Sequence, residues 1–101
     1  MSTYGLIGYP LGHSFSRGYF TDFFLRKGIN AEYKNFELPC ISDITNVLKE
    51  ETTLQGFNVT IPYKQQVIPY LNELDAAAEA IGAVNVVKVT RCGEDIYLKG
   101  Y

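Results

Sequence analysis

The sequence predicts an α/β fold: a three-layer α/β/α domain on a mixed, mostly parallel sheet, closed by a C-terminal β-hairpin. Three observations predict it. Short apolar, strand-like runs alternate with helix-patterned segments as far as Gly82, which places the first strands parallel with helices as their crossovers. Beyond Gly82 two strand-like runs flank a turn at Gly93, and such a hairpin adds an antiparallel pair to the sheet. Finally, 101 residues with 47% hydrophobic and 20% charged side chains suit one globular domain with a single core, spanning residues 1–101.

Each element has its own signal. Tyr4 to Tyr9 is an apolar run closed by Pro10, Gly12 and Ser14, a buried strand entering a loop. Phe20, Phe23 and Phe24 form one stripe of a helix that stops near Gly28. Tyr33, Phe36 and Leu38 mark a second strand, ended by Pro39. Ser42 is placed to cap a helix whose apolar face is Ile44, Val47 and Leu48. Gly56 to Thr60 is a third strand, and Pro62 suits the first turn of the helix after it. Pro69 interrupts that helix, so residues 63–81 divide into two helical pieces, the second rich in alanine and ended by Gly82. Val84 to Val89 and Ile96 to Leu98 form the closing hairpin.

Composition narrows the function classes. A formal net charge of −2 gives no electrostatic reason for a nucleic acid or an anionic membrane as partner. No apolar run approaches the roughly 20 residues that cross a bilayer, and the N-terminus carries no secretory pattern. Cys40 and Cys92 lack a CxxC partner and His13 is the only histidine, so neither a disulfide nor a metal site is expected. These features point to a cytoplasmic protein. No GxGxxG or GxxxxGK[ST] turn is present, so this chain alone is not expected to bind a dinucleotide.

Ligands of open α/β sheets bind at the carboxyl ends of the strands, where strand order reverses. That rule selects three loops, residues 9–16, 58–64 and 82–86, all rich in small polar side chains. In the first, Ser14 and Ser16 precede the Phe-striped helix, where unpaired N–H groups favour a carboxylate. The plainer alternative is one capping serine and one loop serine. His13 has no partner carboxylate in its loop, so it reads as a local hydrogen-bonding residue rather than a general base. In the second, Asn58 and Thr60 alternate along the strand and share a side, suited to ring hydroxyls. Lys64 falls in the first turn of the next helix, where its charge opposes the dipole at about 0.3–1 kcal/mol. Local rules of this kind are often broken at functional sites, but a solvated surface lysine explains the position equally well. In the third, Asn85 is either a further hydrogen-bonding group or a turn residue.

Taken in order, GYPLGHSFS, NVTIPYK and IGAVNV resemble the three motifs of the N-terminal, substrate-binding domain of the shikimate dehydrogenase family, and the likeness runs from about Tyr4 to Tyr101. The resemblance implies that Ser14 and Ser16 bind the substrate carboxylate. It implies that Asn58 and Thr60 line the hydroxyl side of the ring, that Asn85 contacts a substrate hydroxyl, and that Lys64 is the catalytic residue. The implied reaction interconverts 3-dehydroshikimate and shikimate with NADP(H) as hydride carrier. Three departures stand out: Arg17 replaces a usual proline, Phe20-Thr21 a frequent His-Asn pair, and Val86 a threonine. Shikimate and quinate both remain open as substrates, with Ser16 favouring shikimate.

The resemblance also implies that an Asn-Thr-Asp stretch and a nucleotide-binding domain would follow Tyr101, so that residues 1–101 act as a fragment inactive alone and self-associate, a homodimer being one outcome. A stand-alone module that binds shikimate-like hydroxy acids without chemistry is the competing reading. The coding sequence beyond Tyr101 separates the two.

Overall fold

The computed structural model describes residues 1–12 and 15–101. Six strands form one sheet: β1 (Ser2–Gly8), β2 (Ala31–Glu37), β3 (Leu54–Val59), β4 (Glu73–Leu74), β5 (Val86–Cys92) and β6 (Asp95–Gly100), in the order β2-β1-β3-β5-β6-β4. β1 pairs parallel with β2 and β3, β5 pairs antiparallel with β3 and β6, and β4 joins β6 in parallel. The sheet is therefore mixed, with parallel pairs in the majority and an antiparallel β5–β6 hairpin, as the sequence predicts.

Alternation along the strands divides the side chains between two helical layers. Ile7, Phe57, Val59, Val87, Val89 and Leu98 face the larger core, built against α2 (Ile44–Glu50), α3 (Tyr63–Gln66) and α4 (Ala76–Ile81). On the opposite face Leu6, Leu11 and Tyr33 meet Phe20 and Phe24 of α1 (Phe15–Lys27). That second layer is thin, since α1 has no fully buried residue. It covers β1 and β2 and leaves the same face of β3 and β5 open along a groove of about 440 Å3.

Two local expectations are corrected. Ser42 does not cap α2: it lies within a 3-10 turn, Ile41–Asp43, and its hydroxyl pairs with the Cys40 thiol at 3.1 Å. Residues 63–81 are not two helical pieces but α3, a second 3-10 turn (Ile68–Tyr70), strand β4 and α4. Beyond Pro69 the chain finds partners on β6 instead of continuing a helix. The Asn72 N–H donates to the Leu98 carbonyl, and the Leu98 N–H donates back to the Asn72 side chain. Asp75 then caps α4 by accepting from the Ala78 N–H at 2.8 Å, and Gly82 ends it at φ 74°, a conformation that favours glycine.

Candidate functional site

β1 is flanked by β2 on one side and β3 on the other, so strand order reverses between β1 and β3. The connection leaving β1 leads to α1 on one face, and the connection leaving β3 leads to α3 on the other. Diverging connections open a crevice at the carboxyl ends of the two strands. A cleft of about 410 Å3 lies there, lined by Pro10, Leu11, Ser16, Asn58 and Thr60 among others. Its size falls within the roughly 300–1,000 Å3 usual for small-ligand sites.

Backbone hydrogen bonds fix the walls of this cleft. The Thr60 N–H donates to the Ile7 carbonyl at 2.9 Å, and the Tyr9 N–H donates to the Ile61 carbonyl at 3.1 Å, so the first and second loops leave the sheet side by side. The Leu38 N–H donates to the Gly8 carbonyl at 3.1 Å, and Glu37 accepts from the Leu11 N–H at 3.3 Å, which ties the first loop to the end of β2. Gly8 permits the close approach of the first two loops. A Cβ there would stand 2.5 Å from the Thr60 methyl and 2.8 Å from Leu11.

Asn58 and Thr60 line the cleft together, as their alternation in the sequence predicts. The Asn58 carboxamide donates to the Tyr33 hydroxyl at 2.8 Å. Tyr33 is only 5% exposed and stacks on Phe20, ring centroids 4.8 Å apart. Burial pushes its phenol up, and the Asn58 and Ser16 side chains beside the oxygen pull in the other direction. Ser16 is half-buried and sits inside the first turn of α1, not ahead of the helix as the sequence suggests. The position still suits an anion, because first-turn N–H groups lack intrahelical partners.

Lys64 and Asn85 are exposed and do not line the cleft, but backbone bonds bring their loops alongside it. The Asn85 carbonyl accepts from the Val59 N–H at 2.8 Å, and the Asn85 N–H donates to the Tyr101 carbonyl at 2.7 Å. The Lys64 carbonyl accepts from the Val84 N–H at 2.8 Å. Tyr63, next to Lys64, is buried and donates its hydroxyl to the Leu38 carbonyl. The dipole argument for Lys64 does not survive: α3 is a single turn, and a helix that short aligns too few peptide units to oppose a charge strongly. Ser14 and His13 lie outside the described residues. Among the described residues no group of three or more His, Cys, Asp or Glu is placed to hold a metal ion.

Sequence reasoning missed Tyr33, Gly8 and Tyr63. Tyr33 reads as core in an alternating strand, although a buried tyrosine hydroxyl usually finds a polar partner and so hints at one. Gly8 carries no signal beyond being a glycine at a strand end.

The topology and the cleft define an open α/β domain with a cleft of small-ligand size at its switch point. The family model described as the shikimate dehydrogenase substrate binding domain matches residues 6–87, and the chain belongs to that family. A shikimate dehydrogenase (NADP(+)) of Halothermothrix orenii is 44% identical over 103 aligned positions, covering 96% of this chain and 32% of that protein. The crystal structure of shikimate dehydrogenase 1 from Peptoclostridium difficile superposes with a TM-score of 0.87 at 37% identity, over 100% of this chain and 37% of that one. The shikimate 5-dehydrogenase of Listeria monocytogenes, solved in complex with shikimate and NAD, gives a TM-score of 0.82 at 32% identity, over 99% and 34%. The chain therefore spans about a third of the length of the relatives it matches.

Proposed function

We propose that this chain is the substrate-binding and catalytic-lysine domain of an NADP-dependent shikimate dehydrogenase, which interconverts 3-dehydroshikimate and shikimate. The observation that carries the reading is that Ser16, Asn58 and Thr60, from two separate loops, line one cleft at the reversal of strand order. The relative from Listeria monocytogenes, bound to shikimate, supports the same ligand class for this cleft.

In this reading Ser14 and Ser16 hold the carboxylate, and charge-assisted hydrogen bonds of that kind are shorter and stronger than neutral ones. Asn58 and Thr60 meet ring hydroxyls, and Asn85 adds a further hydroxyl contact. Lys64 is the catalytic residue: its ammonium donates to the C3 oxygen, stabilises the negative charge that develops there during ketone reduction, and delivers the proton. In the reverse direction it takes that proton back.

NADP(H) supplies or accepts the hydride when bound. The residues of this chain do not fit it: the β1-to-α1 connection reads GYPLGHSFS, without the glycine spacing that brings a helix N-terminus against a pyrophosphate. The carrier is therefore assigned to residues outside this chain, and residues 1–101 alone are expected to show no NADPH-dependent turnover.

The open groove beside α1, lined by Tyr4, Phe23, Ile29 and Val86 among others, supports homodimer formation by the isolated chain, which sedimentation velocity over a concentration series tests. Exposed, unpaired Cys40 and Cys92 suit the reducing cytoplasm, and no helix among the described residues is long and apolar enough to cross a membrane.

Isothermal titration of residues 1–101 with shikimate tests the central reading. Saturable binding that a neutral ester of shikimate does not match is the expected result. Absence of binding would remove the reading.

A further inference from the structure

Asn58 stands between two cavities. It lines the polar cleft with Ser16 and Thr60, and it lines the apolar groove behind with Tyr33 and Phe20. Tyr33 lines the groove but not the cleft. The Asn58 Nδ2 donates to the Tyr33 hydroxyl at 2.8 Å, which turns the nitrogen edge of the carboxamide to the groove side. The bond runs diagonally across β1, where Tyr4 stands level with Tyr33 and Leu6 level with Asn58. A carboxamide is planar and its oxygen diverges from its nitrogen, so the oxygen edge is the one left for the cleft. No described residue donates to Asn58 Oδ1, and the buried unpartnered polar atoms are Asn35 Oδ1 and Arg91 Nε. Asn58 Oδ1 is therefore an accessible acceptor.

We infer that Tyr33 is a positioning residue for the proposed site: it holds the Asn58 carboxamide with Oδ1 toward the cleft, as acceptor for one hydroxyl hydrogen of the ligand. The inference rests on the hydroxy-acid reading of the cleft. It adds a residue that does not line the cleft, and it fixes the polarity of one contact. Rotation about the last bond of an asparagine side chain is only broadly restrained. An untethered carboxamide would present oxygen and nitrogen by turns and lose that freedom on binding, whereas one already fixed does not. Tyr33 is itself held, being 5% exposed, packed with Leu6 and Leu11, and stacked on Phe20 with the rings 17° from parallel. Phenylalanine at this position would keep that packing and leave the carboxamide free. An acceptor in the cleft selects a ligand group that carries a hydrogen to donate, as a hydroxyl does.

The test is calorimetric titration of the 101-residue chain with shikimate and with analogues in which each ring hydroxyl in turn is replaced by hydrogen or by fluorine. Fluorine cannot donate. For one hydroxyl, the fluoro analogue should bind the unmutated chain as weakly as the deoxy analogue, and Asn58→Ala should abolish the advantage of shikimate over both. Tyr33→Phe should lower shikimate affinity roughly three- to tenfold, as for one hydrogen bond weakened, and leave that same deoxy analogue unaffected. In the Asn58→Ala background Tyr33→Phe should cost nothing further, since the group it positions is gone. Equal losses for shikimate and every deoxy analogue would reduce Tyr33 to packing. A fluoro analogue that matches shikimate at the hydroxyl Asn58 meets would place Nδ2, not Oδ1, in the cleft. Either result overturns the inference and leaves the reading of the cleft intact, whereas an unmutated chain that binds no shikimate removes both. Should Tyr33→Phe fail to fold, NMR on the unmutated chain decides. Nuclear Overhauser contacts between the Asn58 Nδ2 hydrogens and the Tyr33 ring should be present and should persist with shikimate bound. Their absence in either state overturns the inference.

Discussion

The Val84 N–H donates to the Lys64 carbonyl across 2.8 Å, joining the turn after β3 to the turn before β5. The Tyr63 hydroxyl anchors the same turn to the Leu38 carbonyl at the end of β2. Lys64 therefore has a fixed backbone and an exposed side chain, the combination expected of a residue that must reach a ligand from a rigid base. Core packing gives no reason for a lysine at this position.

An ammonium that stabilises charge developing on the C3 oxygen acts on the transition state more than on the bound substrate. The test uses residues 1–101 joined to the nucleotide-binding domain of a shikimate dehydrogenase, once that fusion turns over with NADPH. Lys64→Ala there should lower kcat by at least ~100-fold, the range of acid–base residues, with a much smaller change in KM for shikimate. A kcat close to that of the unmutated enzyme would make Lys64 an ordinary surface lysine.

Ser16 occupies the first turn of α1, where backbone N–H groups are free to meet an anion, and Ser14 stands two positions earlier in the sequence. Replacing both serines by alanine should weaken shikimate binding by about 1–3 kcal/mol, as for hydrogen bonds lost from a charged group. Calorimetry on the double variant checks this. Unchanged affinity would assign the serines to capping alone.

The parts of this fold that were legible in the sequence are those with a repeating pattern. β1, β3 and β5 are apolar runs, α1 carries an i, i+3, i+4 stripe of phenylalanines, and Gly82 adopts the left-handed conformation that its place after an alanine run suggests. β4 was not legible, because two residues have no period: Glu73 and Leu74 are a strand only because β6 lies beside them. The rule of strand ends located the cleft, and alternation placed Asn58 and Thr60 on one side of it. Tyr33 escaped because its role depends on a contact between β2 and β3 across β1, and no local pattern encodes a contact at that separation.

The β4–β6 edge should respond to acid. Glu73 accepts from the Tyr97 hydroxyl at 2.5 Å and pairs with Lys99 at 3.2 Å, and these partners, Tyr97 first, hold its carboxyl below the usual range. A carboxyl depressed in the folded state adds stability above its unfolded pKa and loses it as pH falls through the folded value. Amide exchange at Glu73 and Leu74 should therefore quicken at the acid end of the titration. By NMR, Tyr97→Phe should move the Glu73 midpoint upward. A midpoint unchanged by that substitution would mean the Tyr97 contact does not hold in solution.

Gly8 offers the sharpest test of how the cleft is built. Its Cα faces the Thr60 methyl so closely that an added Cβ would sit 2.5 Å from it and 3.0 Å from the Ile61 carbonyl. Leu11, 2.8 Å away, can turn aside at the end of its side chain, but Thr60 is branched at Cβ and Ile61 O is backbone. Gly8→Ala must then push the second loop away from the first, an overpacking that costs about 1–3 kcal/mol. It should also spread Thr60 from Ser16 and lower shikimate affinity. Thr60→Ser removes the obstructing methyl and keeps the hydroxyl proposed to meet the substrate. Combined with Gly8→Ala it should restore much of the lost stability and binding, a coupling that thermal melts and calorimetry on the two single variants and the double variant would measure. Simple additivity of the two changes would show that the methyl is not what Gly8 accommodates.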